Sequence, residues 1–211
     1  MDAQQSRPST AAREGAMVTV VLEPYATEYK VYKALLVEHS EYFRKALTGP
    51  WKEAEDRVFR IADVKSHTFD VFVDWLYTQR LPESRMHWCP DPDRGEQCNM
   101  QLGMAYVQAY VFGDRFQTLG FKDAVGQKLC DDLDHSPPSY ETVIYAYAHL
   151  PEEDDLLQQM VNFQCAYGNP LYDDDVEEIE TRKRLPTDFL VRVMVCFGDL
   201  GEKVPILADE Y

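Results

Sequence analysis

The sequence predicts an α/β (α+β) fold: a small sheet packed with helical hairpins, followed by an all-helical C-terminal extension. Three observations predict it. Runs rich in β-branched residues fall within the first 62 positions, the strongest being MVTVVL at 17–22. Helical periodicity then takes over, and beyond Pro137 and Pro138 every patterned segment is helical. At 211 residues with 45% hydrophobic content, the chain has room for one domain and a helical appendage around a genuine core.

Residues 1–16, MDAQQSRPSTAAREGA, hold no apolar stretch and carry Asp2 and Glu14, so they read as a disordered tail rather than a secretory or transit segment. MVTVVL is the first strand. Tyr29 and Val31 continue the extended pattern after a turn around Glu23, Pro24 and Ala26, which predicts a hairpin. In VYKALLVEHSEYFRKAL, at 31–47, apolar positions suit a helical face but His39 and Ser40 interrupt it, giving two short helices. Ser40 is the expected N-cap of the second, which Gly49 and Pro50 stop.

RVFRIA at 57–62 is a third strand with Phe59 and Ile61 on one face. Ser66 is the expected cap of a helix whose stripe of Phe69, Phe72, Val73, Leu76 and Tyr77 must be buried, while Val71 and Trp75 make its other side apolar as well. Residues 82–99, with prolines and no periodicity, read as a long loop. Two packed helices follow, through Leu102, Tyr106, Ala109, Tyr110 and Phe116, and then through Phe121, Val125 and Leu129.

In the extension, Tyr140, Val143, Ile144 and Tyr147 form one stripe, and Leu156, Leu157, Met160 and Val161 another, stopped at Gly168. The acidic-to-basic run DDDVEEIETRKR at 173–184 reads as a solvated helix with i, i+4 pairs. A last helix is capped by Thr187, packs through Phe189, Val193, Met194 and Phe197, and ends at Gly198. The expected divisions are thus a tail over 1–16, a domain over 17–135, a helical extension over 136–200 and a C-terminal tail over 201–211.

A net charge of −16 excludes a phosphate-backbone binder, which needs clustered Lys and Arg. The longest apolar run is too short to cross a bilayer, so no membrane role is expected. Five scattered cysteines read as reduced thiols, which places the chain in the cytoplasm or nucleus. Phosphate loops, dinucleotide fingerprints, nucleophile elbows and zinc-protease helices are all absent, so no enzyme and no cofactor are expected. His87, Cys89 and Cys98 lie close enough in sequence to suggest a zinc site, but they lack the short paired arms that such sites use. A small zinc-binding protein is therefore an alternative reading, with a plain loop against it.

The order strand, strand, helix, helix, strand, helix, long loop, helix pair resembles a BTB/POZ domain. The resemblance rests on MVTVVL, EYKVYKALLVEHSEYFRKAL, RVFRIADV, FDVFVDWLYTQRL and AYVFGDRFQTLGFKDAVGQKL, in that order over residues 17 to 133. VIYAYAHLPEEDDLLQQMVNFQCAY and LPTDFLVRVMVCF resemble the helical extension of single-domain fungal members. The resemblance implies a protein-binding module without catalytic chemistry, with a second copy (a homodimer) or the ubiquitin-ligase scaffold cullin-3 as partner. Leu35, Leu36, Tyr42, Phe43, Met100 and Leu102 are the expected contact residues, with core packing the alternative for the first four.

Three departures from the family pattern stand out: Met17 where an Asp is usual, Tyr32 where a His is usual, and Gln79 where a Gly ends the helix. The first two argue against the buried charged pocket of transcription-factor members. Residues 1–16 lack the amphipathic helix that such members exchange between copies. NMQLGM at 99–104 supplies Met100 and Leu102 but no acid for the apolar-x-acid motif of cullin-3 binders.

Overall fold

The computed structural model describes residues 16–50, 56–88, 97–132, 137–168 and 176–202, with backbone alone at 97–101 and 199–202. The chain divides into two compact units, residues 1–128 and 129–211.

The first unit opens with β1 (Met17–Leu22) and β2 (Thr27–Tyr32), an antiparallel hairpin. β3 (Val58–Ile61) joins β1 in parallel, giving the order β2-β1-β3. The central strand is buried along Val18, Val20, Val21 and Leu22, as expected of a strand flanked on both edges. In β3, Phe59 and Ile61 are buried while Arg60 between them is exposed, so the two-residue pleat holds.

Between β2 and β3 run α1 (Lys33–His39) and α2 (Glu41–Thr48), broken at Ser40 as the sequence predicts. Gly49 ends α2, its N–H bonded to the Lys45 carbonyl at 3.0 Å. Then comes α3 (Ser66–Thr78). It begins one residue earlier than expected: Lys65 is the N-cap, and its carbonyl accepts from Thr68 and Phe69 N–H at 3.1 and 3.2 Å, so the Ser66 hydroxyl is not used as a cap. Both apolar sides of α3 are buried, with Phe69, Phe72 and Leu76 on one and Val71 and Trp75 on the other.

The segment expected to be one long loop is partly helical. Residues 85–88 form the short helix α4 (Arg85–Trp88), and α5 (Gln97–Arg115) begins before Cys98. The reason is Trp88, whose indole N–H donates to the Pro82 carbonyl at 2.9 Å and whose ring meets Tyr106 edge-on at 4.5 Å. A single buried aromatic side chain can fix a stretch in which composition shows only prolines and charge.

α6 (Leu119–Asp132) pairs with α5 at close range. A Cβ at Gly113 would lie 2.9 Å from Lys122 Cβ and 3.0 Å from Lys122 Cα, so only glycine permits this approach. Phe112, Phe116, Phe121, Phe72 and Phe69 form a connected aromatic core with neighbouring centroids 4.5–6.2 Å apart.

The second unit contains α7 (Tyr140–His149), α8 (Asp155–Tyr167), α9 (Val176–Arg182) and α10 (Thr187–Glu202). Ser139 and Asp154 cap α7 and α8 by accepting from Thr142 and Leu156 N–H. The α8 stripe of Leu156, Leu157, Met160 and Val161 is buried as predicted. α9 is not solvated all round, because Thr181 is buried; on its outer side Glu180 meets Lys183 at 2.5 Å.

α10 departs most from expectation. It continues past Gly198 to Glu202, and although Phe189 is buried, Met194 and Phe197 are exposed rather than packed. The helix is apolar on two sides, and among the described residues only one is covered. Among the described residues, no helix is long and apolar enough to cross a membrane.

Candidate protein-interaction surface

The α1–α2 hairpin is locked to the rest of its unit by one small residue. Buried Ser40 donates from Oγ to the Phe116 carbonyl at 2.6 Å and accepts from Phe43 N–H at 3.0 Å. Its own N–H reaches the Leu36 carbonyl and its carbonyl takes Arg44 N–H, while Glu41 N–H bonds to the Gln117 carbonyl. The hairpin turn and the α5–α6 turn therefore share a hydrogen-bond network that leaves no Ser40 group unmatched.

Two residues further on, Tyr42 stands on this platform. Its ring meets Phe116 at 5.1 Å, Phe43 at 5.5 Å and Phe59 at 6.2 Å, all near perpendicular, yet 41% of the residue is exposed. Around it, Glu41 pairs with Arg44 and Lys45, and the Arg115 guanidinium covers the Phe116 ring at 5.1 Å. An aromatic side chain already held by neighbours, with a rim of charged groups, loses little rotamer freedom when a partner covers it. That is the profile of an interface anchor.

A second feature lies on the sheet. Met17 and Tyr32, two of the departures from the family pattern, are direct partners in the β1–β2 ladder. They are thus one change rather than two: a rung that would carry an acid and a histidine carries a thioether and a phenol. Met17 is partly exposed, and the Tyr32 ring lies 6.0 Å from Tyr77, whose hydroxyl accepts from Tyr32 N–H at 3.4 Å. Lys33, next in sequence, spends its charge on the end of α2, donating from Nζ to the Leu47 carbonyl at 2.8 Å. Nearby, Tyr29 donates to Asp70 Oδ1 at 2.8 Å; burial, then the Asp70 bond and charge, push its hydroxyl far above the usual range, so it stays a neutral donor.

The third departure, Gln79, ends α3 in the left-handed conformation (φ 56°, ψ 27°) usually left to glycine. Its side chain compensates: Nε2 donates to the Trp75 carbonyl at 3.1 Å, which the Gln79 N–H also reaches at 2.7 Å. The same amide approaches His39 Nε2 at 3.4 Å.

The expected contact residues separate by burial. Leu35, Leu36 and Phe43 take the core alternative and present no surface, and Leu102 is buried in α5. Tyr42 is the exposed member, and the side chain of Met100 lies outside the described residues. Of the zinc candidates, His87 is exposed on α4, whereas Cys89 and the side chain of Cys98 lie outside the described residues. Among the described residues no three His, Cys, Asp or Glu side chains converge as a metal set.

Cys165 and Cys196 are free thiols in contact between α8 and α10, and burial, followed by the bond to Cys196, pushes Cys165 up to about 12. Periodicity could not have revealed the Met17–Tyr32 rung, which depends on strand register; the open face of α10 was visible only as an excess of apolar positions over what one stripe needs.

A family model described as BTB/POZ domain matches residues 10–90. The span covers the hairpin β1–β2, the α1–α2 pair, β3 and α3, four of the five pieces that carry the resemblance in the sequence; the fifth, at 109–129, lies beyond it. Residues 10–90 therefore match a BTB/POZ domain, a protein-interaction fold; in the structure this stretch is built on a three-stranded mixed sheet and is followed by further helices.

Proposed function

We propose that this BTB/POZ-bearing chain is a non-enzymatic module that self-associates or recruits a protein partner inside the cell, with Tyr42 as a contact residue. The single observation that carries the reading is Tyr42 itself, an exposed ring pre-positioned on three aromatic neighbours at the hairpin. The helices after residue 136 resemble the extension of single-domain fungal members and would serve as a second surface. Nucleic acid is disfavoured as partner by the net charge of −16.

The test is sedimentation velocity on the purified chain together with partner capture from a cell extract. A self-associating or captured species that Tyr42→Ala weakens about tenfold, with the circular dichroism melt preserved, supports the reading. A strictly monomeric chain that captures nothing overturns it.

A cullin-3 adaptor role is the alternative. NMQLGM lacks the acid of the binding motif, and Leu102 is buried. Direct titration with purified cullin-3 decides between the two: micromolar binding would establish the adaptor role, and its absence at that concentration would remove it.

A further inference from the structure

α10 buries Phe189 but leaves Leu190, Val191, Met194, Val195 and Phe197 between 42 and 73% exposed. Their spacing of i, i+1, i+4, i+5 and i+7 places them on one face, extended at i+8 by Gly198. Between Leu190 and Gly198 no charged residue falls within that arc. A face of this width, spanning two turns, is more than the scattered exposed apolar residue that any surface tolerates.

Gly198 adds an independent signal. Inside a helix a glycine costs about 1 kcal/mol relative to alanine, and a Cβ built here would meet nothing within 4 Å. Packing against the described residues does not call for it. A glycine on an open apolar helix face instead allows a second helix axis to come close.

Charge selects the occupant. Residues 129–211 hold five Lys and Arg against nineteen Asp and Glu, a net of −14, which leaves −2 of the total −16 for residues 1–128. A second copy meeting the first through α10 would bring −14 against −14, and an anionic lipid surface would be repelled in the same way. A helix whose apolar stripe is bordered by Lys and Arg gains both from the apolar contact and from the field.

We infer that the exposed face of α10 is a docking site for a basic amphipathic helix of a partner protein, distinct from the hairpin surface and independent of it. The probe is a fluorescein-labelled 15-residue peptide with Leu at i, i+3, i+4 and i+7 and Lys elsewhere, titrated into the full chain by fluorescence anisotropy, with a twin carrying Glu for Lys. The Lys peptide is expected to bind and the Glu twin to bind about tenfold more weakly or not at all.

The decisive variant is Met194→Glu. It makes the second unit more acidic, so simple charge adsorption would strengthen, whereas docking on the apolar face should weaken about tenfold. Val191→Glu, a second exposed site, should repeat the result; circular dichroism checks that both remain helical. Unchanged or stronger Lys-peptide binding in both variants overturns the proposal, as does equal binding of both peptides or binding of neither. A wild-type dimer that Met194→Glu converts to monomer would assign the face to a second copy, and tighter peptide binding after removal of residues 203–211 would assign it to the chain's own terminus. Either result also overturns it.

Discussion

Ser40 shows how much one hydroxyl can hold. It caps α2 and closes the Phe116 carbonyl in the same buried spot, so Ser40→Ala removes a cap worth about 1 kcal/mol and orphans an acceptor worth a further 1–3. The expected loss is about 2–4 kcal/mol, read as a lower urea midpoint with an unchanged slope. A loss under about 0.5 kcal/mol would mean that water replaces the hydroxyl.

Histidines contribute a pH dependence at the same scale. His39 and His67 are both held below the ordinary value of 6.5, first by burial; Glu38 opposes this at His39, and a bond to Gln108 opposes it at His67. A histidine with a depressed pKa binds its proton more readily when unfolded, so stability is full above the unfolded value and falls as pH drops through 6.5 toward the folded values. Urea midpoints should therefore decline between pH 7 and about pH 5.5, before the carboxylates titrate. A double His39→Gln, His67→Gln variant should flatten that decline, and an unchanged slope would show that other groups set it.

Among the elements, the α5–α6 pair is set by the closest approach. Gly113→Ala improves helix propensity by about 1 kcal/mol, but its methyl would press on Lys122 backbone atoms at 3.0–3.1 Å, which cannot rotate away. The clash should win, with a net destabilisation of about 1–2 kcal/mol; a thermal melt checks the sign. The end of α3 gives a second case. Gln79→Ala keeps a Cβ in the left-handed region while losing the amide bond to the Trp75 carbonyl, and should cost about 1 kcal/mol, whereas Gln79→Gly relieves the backbone and should cost less.

Elements also show where sequence could and could not speak. The break at Ser40 was legible because the residue type that interrupts the stripe is also the one that caps the next helix. α4 was not, since its order comes from the burial of Trp88 under Tyr106, a contact between separate segments. On α10 the apolar excess was plain, but periodicity reports which residues are greasy and not which neighbour covers them. Among the expected contact residues, only depth in the core separates Tyr42 from Phe43, and that depth is set by packing against other segments, which periodicity does not report.

At the scale of the whole molecule, charge is unevenly shared, with nearly all of the excess in residues 129–211. Self-repulsion in that unit should make it salt-sensitive. Raising NaCl from about 10 mM to about 1 M shortens the screening length from roughly 30 Å to roughly 3 Å, and hydrogen-exchange protection should rise in α7–α10 more than in the β1–β3 unit. An equal response in both would show that local ion pairs already neutralise the excess.

The parallel pairing of β1 with β3 carries a consequence for biosynthesis. β1 ends at Leu22 and its second neighbour ends at Ile61, so during translation the greasiest strand waits, one edge open, while 39 further residues are made. At roughly 5–20 residues per second that wait is about 2–8 s. Nascent chains arrested just before Val58 are expected to hold hydrophobic chaperones more strongly than chains arrested after Thr78, and crosslinking on stalled ribosomes would show it. The interval sets a window in which crowded synthesis, rather than the finished protein, is exposed to aggregation.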